Sequence, residues 1–272
     1  MPAKAALGSV EAIAVKSGDH AVENALLVGL SRQMALAREL DVIANNMANV
    51  GTNGFKARSA RFNEFLMPGA SADSFGRPDR PLSFVVDKGT PIDLSQGPVE
   101  RTGNPLDVAL KGDNYLVVQT PGGERYTRAG SLTINAQGQL VTQGGQPVMG
   151  EGGPISFGNT ESAIAIAADG SVTSDQGVRG KLRQVRFADP ASLVSEGTNL
   201  FSSTAAAQPA GPQARLETGA IETSNVKAVV EMTRLLQVQR SYQSVASMIG
   251  RQDELRSRAI SRLADQQARR EH

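Results

Sequence analysis

Apolar residues along this chain recur with two different periods, and the change of period divides it. From Glu23 onward, Leu26, Leu27, Leu30, Met34, Ala37, Leu40, Ile43, Ala44 and Met47 follow one another mostly at spacings of three and four. Residues so spaced share one face of an α-helix. The spacing predicts a helix from Glu23 to about Asn49, roughly 40 Å long at ~1.5 Å per residue. Asn45, Asn46 and Asn49 crowd its end. Asparagine amides compete for nearby backbone groups, and at a helix end they satisfy carbonyls left open. Gly51 and Gly54 are expected to give the chain the backbone freedom to stop, with Phe55 folding back. A second helical stripe lies near the other end: Val229, Met232, Leu235, Leu236, Val238, Tyr242, Val245 and Ile249. Thr223 or Ser224 is placed to cap that helix. Beyond Gly250 the stripe thins to Leu255, Ile260 and Leu263, and Glu254 and Arg258 are spaced for a helix-face pair.

Between the helices, short β-rich runs alternate with turn residues. Strands are predicted at residues 84–86, 106–110, 115–119, 126–128, 131–134, 138–142, 164–167, 171–173 and 182–187. Gly122-Gly123, Asn135 to Gly138, Gly144-Gly145 and Asp169-Gly170 mark the turns, since such pairs suit positive φ. Two stretches rich in Pro, Gly, Ser, Ala or Asp, 67–81 and 203–213, flank this middle and read as linkers. Lys56, Arg58 and Arg61 give the exit from the first helix a basic cast, and read as a solvated loop.

The fold class is therefore α+β: helical ends that return to each other as a coiled-coil-like pair, with an irregular all-β domain inserted. The expected divisions are a disordered extension at 1–22, a helical segment at 23–56 and an extended arm at 57–82. A β domain at 83–203, a linker at 204–215, a helical segment at 216–265 and a tail at 266–272 follow. Two helices alone bury too little apolar surface to offset the entropy of ordering them, so neighbouring molecules must cover the remaining faces.

Composition narrows the chemistry. The 272 residues carry a net charge of +1, which gives no electrostatic preference for nucleic acid or anionic lipid. Cysteine is absent, so disulfides, thiolate nucleophiles and Cys-based metal sites are excluded. The two histidines, His20 and His272, lie near the ends, which removes the main ingredient of triad or His-ligated metal chemistry. There is no phosphate-binding Gly-rich loop with its Lys, no tryptophan, and only three tyrosines, too few for a stacking platform. No apolar run approaches a membrane span, and Glu11 and Lys16 interrupt any leader-like stretch. No catalytic residue, metal, cofactor, nucleic acid or small-molecule ligand is expected.

The run Ala44-Asn45-Asn46-Met47-Ala48-Asn49-Val50-Gly51-Thr52-Asn53-Gly54-Phe55 resembles the N-terminal signature of the bacterial flagellar axial proteins, the rod and hook subunits. Residues 23–33, ENALLVGLSRQ, resemble the proximal-rod members of that family. Thr102 to Asp113 and Tyr126-Thr127-Arg128-Ala129-Gly130-Ser131 are similar to its β domain, with Asn114-Tyr115 where the family has a Gly-aromatic pair. Asn114 is expected to tolerate the left-handed turn, and Thr127 to Gly130 is read as a structural turn. Leu216 to Val226 and Gln237 to Tyr242 are similar to the family's C-terminal signature. The resemblance covers Glu23 to about Ser261.

It implies a structural subunit of the proximal rod, exported unfolded through the flagellar type III apparatus and polymerising with copies of itself and other rod subunits into a torque-transmitting shaft. The residues it marks for assembly are Leu27, Leu30, Met34, Leu40, Ile43, Asn45, Asn46, Met47, Asn49, Gly54 and Phe55. On the C-terminal side they are Ser224, Asn225, Val226, Met232, Leu235, Leu236, Tyr242, Val245 and Ile249. Residues 1–21 have no counterpart in the family pattern and read either as an extension or as a start-site artefact, with Val22 the first native residue. The alternatives are a distal-rod or hook subunit, or a secreted β-domain enzyme or adhesin with helical arms.

Overall fold

The computed structural model describes residues 5–67, 82–87, 89–158, 160–197, 199–211 and 214–270. The chain forms two units. A helical unit takes the chain up to Ile43, Ala60–Thr90, and the chain from Met232 on. A β-rich unit takes Ala44–Ser59 and Pro91–Glu231.

In the helical unit, helix α1 (Ala5–Ala48) and helix α2 (Ala228–Arg270) contribute their long outer parts. Helix α1 starts well before the expected Glu23. Residues 5–22, expected as a disordered extension, continue the helix; alanine is the commonest residue there and no proline interrupts it. The two helices run antiparallel. Arg234 donates to Glu39 at 2.9 Å, and Gly29 lies so close to Ile249 that an added Cβ would sit 3.2 Å from Cγ1. An antiparallel hairpin, Phe62–Met67 with Leu82–Asp87, completes the unit. The first of these strands falls inside the expected extended arm, and the second at the start of the expected β domain. Both belong with the helices. Residues 68–81 of that arm lie outside the described residues.

The β-rich unit is built around a six-stranded antiparallel sheet. Its strands lie in the order Leu193–Glu196, Leu200–Ser203, Gly123–Thr127, Tyr115–Thr120, Gln184–Arg186, Gln208–Pro209. Strand Gln208–Pro209 lies within the expected 204–215 linker and pairs with Val185 and Arg186. A hairpin (Leu132–Ile134 with Leu140–Thr142) and a three-stranded sheet (Ala165–Ile166, Ser171–Ser174, Gly177–Lys181) pack against it. Two apolar clusters fill the interior. One joins Val108, Leu110, Leu116, Leu140, Val172, Leu182 and Leu216; the other joins Tyr115, Val117, Phe187 and Phe201. Asn135 turns the hairpin by accepting from Gln137 N and Gln139 N, with Gly138 at φ +76. At the Asn114 turn the left-handed residue is Gly112, at φ +77; Asn114 keeps a negative φ and donates to the Lys111 carbonyl at 3.0 Å.

The predicted strands at 106–110, 115–119, 131–134, 138–142 and 171–173 are present with shifted ends. Residues 216–222, expected to open the C-terminal helical segment ahead of its cap, form two strands. Leu216–Thr218 pairs with Val108–Leu110, and Ala220–Glu222 pairs with Val99–Arg101. Helix α2 begins only at Ala228, so neither Thr223 nor Ser224 caps it. Ser224 Oγ accepts from Val226 N at 3.2 Å before the helix starts, and Thr223 Oγ1 donates to the Pro98 carbonyl.

Candidate functional site

The terminal motifs meet in the β-rich unit. Helix α1 ends at Ala48, and Asn49 donates from its amide to the Asn45 carbonyl at 2.8 Å, one of the open carbonyls of the last turn. Asn46 turns inward. Its Nδ2 donates to the Arg58 carbonyl at 2.8 Å and its Oδ1 accepts from Arg58 N at 2.9 Å. Gly54, at φ +71, packs so tightly that an added Cβ would lie 2.4 Å from Ala129 N. Gly51 lies at ordinary φ in open space, so of the two glycines only Gly54 gives the freedom expected of both. Phe55 is buried.

The C-terminal motif docks onto this loop. Gly54 N donates to the Glu222 carbonyl at 2.8 Å, and Ala57 N donates to Asn225 Oδ1 at 2.7 Å. Asn225 Nδ2 reaches the carbonyls of Asp93 and Ser95 at 2.9 and 3.1 Å. Val226 and Ser224 are buried. The chain ends are therefore stitched to each other and to the loop at 93–97, within a single molecule.

A buried charge cluster lies under the stitch. Lys56 Nζ donates to Glu222 Oε1 and to the Ser95 carbonyl, both at 2.6 Å. Arg128 Nε donates to Glu222 Oε2 at 2.8 Å, and its other nitrogens reach the carbonyls of Gly112, Asn114 and Leu110. Lys56 and Arg128 are each 2 % exposed and Glu222 is fully buried. Burial pushes the Glu222 carboxyl up, but the Arg128 charge and the hydrogen bonds from Arg128, Lys56 and Gly97 N outweigh it, so it stays below the ordinary carboxylate value. Burial lowers Lys56, and Glu222 offsets only part of that. The Arg128 guanidinium lies 5.7 Å from the Tyr115 ring centre, and burial raises the Tyr115 phenol to about 12.

Sequence reasoning missed this cluster. Lys56 and Arg58 were expected in a solvated loop. Lys56 is buried, and Arg58 stacks 5.9 Å over Phe55 and donates to Ser195 Oγ and the Gly197 carbonyl. In the stretch Thr127 to Gly130, read as a structural turn, Thr127 ends a strand and residues 128–130 form no backbone-bonded turn; Thr127 Oγ1 accepts from Ala129 N at 3.0 Å, and Arg128 is the central cation of the cluster. No local spacing signals partners this far apart in sequence.

In the helical unit the marked apolar residues divide into two groups. Ile43 and Val245 are buried, while Leu40, Leu235, Tyr242 and Ile249 are half-buried. Leu27, Leu30, Met34, Met232 and Leu236 are exposed, Met34 at 66 % and Met232 at 54 %. At 3.6 residues per turn, Leu27, Leu30 and Met34 lie on the side of α1 opposite Gly29 and Glu39, the residues that meet α2. Beside Met34 runs a groove of about 500 Å³, lined mainly by Ala35, Ala37, Phe62 and Val85, with Arg38 and Asp41 among its polar residues. Asn45 points to solvent and Met47 is half-buried. Among the described residues no group of acids and histidines has metal-binding geometry, and no helix is long and apolar enough to cross a membrane.

Three sequence families match this chain. Residues 26–56 match the family described as flagella basal body rod protein, and residues 109–174 match the flagellar hook protein FlgE/F/G D1 domain. Residues 217–262 match the flagellar basal body rod FlgEFG protein C-terminal family. The flagellar basal-body rod protein FlgF of Caulobacter vibrioides is 40 % identical over 246 residues, covering 89 % of this chain and 98 % of that one. FlgF of Mesorhizobium japonicum is 32 % identical, covering 84 % and 92 %. FlgG of Bacillus subtilis is 32 % identical, covering 85 % and 95 %. The matched families take in both stitched chain ends and part of the β-rich unit between them, and the relatives align over nearly their full length: the chain belongs to the flagellar basal-body rod protein family.

Proposed function

We propose that this protein is a structural, non-catalytic subunit of the flagellar rod, placed in its proximal segment. Family membership supports the rod assignment. The higher identity to the FlgF protein of Caulobacter vibrioides than to the FlgG protein of Bacillus subtilis supports the proximal position over the distal one. The partners are other rod subunits and further copies of this chain. Export through the flagellar type III apparatus and a place in the periplasm-spanning shaft rest on family membership alone.

The observation that carries the assembly reading is the exposed pair of apolar stripes: Leu27, Leu30 and Met34 on α1, and Met232 and Leu236 on α2. Each helix already spends another face on the antiparallel contact within the chain. A second apolar face left in water is unfavourable, and covering it drives association. We propose that sister subunits cover these faces as a coiled-coil-like layer. Contacts that do not close by rotation build a helical tube. Torque then passes through packed helices without any chemical step. Asn46, Asn49, Gly54, Phe55, Ser224, Asn225 and Val226 contribute indirectly, by joining the N-terminal motif to the C-terminal one.

The test is replacement of Leu30 and Met34 together by Asp. The purified variant is expected to keep the circular dichroism and melting behaviour of the wild type, yet to be missing from isolated basal bodies. Normal incorporation and swimming would overturn the reading.

A further inference from the structure

The charge cluster draws its members from three distant parts of the chain. Lys56 comes from the N-terminal motif, Arg128 from the end of a central strand, and Glu222 from the last strand before α2. Glu222 faces both cations: Oε1 accepts from Lys56 Nζ at 2.6 Å and from Gly97 N at 2.9 Å, and Oε2 lies 2.7 Å from the second guanidinium contact of Arg128. The same final segment adds Leu216 to the larger apolar cluster and lays one strand on Val108–Leu110 and another on Val99–Arg101. Its backbone and side chains also hold Gly54 and Ala57.

Consider the unit without that segment. Val108–Leu110 would lose its strand partner in the sheet register, and the apolar cluster would lose Leu216. Lys56 and Arg128 would be two cations held out of water with their acid gone. A buried charge stripped of its counter-ion is strongly disfavoured, and unpaired strand groups next to an apolar core add to that. The remaining chain therefore has no favourable way to keep its native packing.

We infer that residues 214–226 act as a folding interlock: the β-rich unit closes only when this late segment docks and Glu222 neutralises Lys56 and Arg128 together. The autonomous body is then the stitched set 44–59 plus 91–231, and the stretch from Ser83 to Ser203 does not stand alone. A chain whose C-terminal segment has not yet joined stays open at the site where both helices will be anchored. This inference concerns the unit itself and holds or fails independently of the assembly proposal.

A protease recognition sequence inserted after Gly211, which is exposed, tests it in the full chain. Cutting there breaks one backbone connection and the Ala214 N to Gly211 carbonyl turn bond, and leaves the contacts of Leu216, Glu222 and Asn225 in place. In increasing urea, release of the C-terminal piece, followed by size-exclusion chromatography, is expected to coincide with loss of amide protection at residues 115–127 and 165–181. Glu222→Gln in the cut chain is expected to lower the urea midpoint for both events together. The control Glu196→Gln, at the surface pair with Arg125, should leave it unchanged. The inference is overturned if residues 115–127 and 165–181 stay protected after the C-terminal piece has left, or if Glu222→Gln releases the piece while the rest keeps its protection. Should Glu222→Gln fail to fold before cutting, the cut wild type still decides between these outcomes.

Discussion

Asn46 and Arg58, twelve residues apart, are joined by two hydrogen bonds: the amide nitrogen of Asn46 donates to the Arg58 carbonyl at 2.8 Å, and Arg58 N donates to the amide oxygen at 2.9 Å. The side chain thus offers the donor and acceptor that a neighbouring strand would offer. Arg58 needs that pairing, because on its other side it bridges to Ile92. One amide thereby holds the last turn of α1 to the segment that follows it.

Replacing Asn46 is expected to lower the stability of the β-rich unit by about 1–3 kcal/mol, the cost of leaving partly buried polar groups unpaired. Asn46→Asp should be at least as damaging as Asn46→Ala. A carboxylate cannot donate to the Arg58 carbonyl, and it would face Glu231, whose Oε2 lies 3.3 Å from the present Nδ2. Asn45→Ala, at an exposed side chain, should stay within about 0.5 kcal/mol of wild type. Urea unfolding monitored by amide exchange in the β-rich unit checks all three.

The Glu222 carboxyl sits below its ordinary 4.5, so the folded state holds its charged form more tightly than the unfolded state does. The stability this gives is fully present above the ordinary value and is lost as pH falls through the lowered one. The groups that face it or act on its partners are Lys56, Arg128, Asp93 and Tyr115. Between pH 6 and 7, Glu222→Gln should cost about 3–5 kcal/mol, because it leaves two buried cations uncompensated. Below pH 4 the gap between variant and wild type should narrow. Urea midpoints measured from pH 3 to 7 test this, and a gap that widens in acid would contradict it.

The two glycines of the N-terminal motif should behave oppositely on substitution. Gly54→Ala places a methyl 2.4 Å from Ala129 N at a positive φ, and a loss well above ~1 kcal/mol is expected. Gly51→Ala meets open space at ordinary φ, and should be neutral or stabilise by up to ~1 kcal/mol through the unfolded chain. Thermal melts of the two variants decide the matter.

Limited proteolysis of dilute monomer should cut first in the outer parts of α1 and α2, whose exposed apolar faces have too few neighbours to hold them. The surviving body should retain both Lys56 and Glu222, not end near Ser203. Mass spectrometry of the resistant core reads its boundaries directly. Resistant helices in a dilute monomer would count against the assembly proposal.

The sequence by itself determined the local features. Spacings of three and four marked both helices, short apolar runs and Gly pairs marked most of the central strands, and the run from Ala44 to Phe55 carried the family. Each of these depends on residues within a turn or a hairpin of one another, so it is written in adjacent positions. What only the tertiary structure decided is where distant pieces meet. Glu222 reaches Lys56 across 166 positions and Arg128 across 94, and no periodicity encodes such partners. That is why Lys56 looked like a solvated charge and why residues 216–222 looked like the approach to a helix when they form two strands of the β-rich unit. Residues 62–67 likewise join the helices through a partner strand beyond residue 81, a pairing set by packing and not by any local pattern.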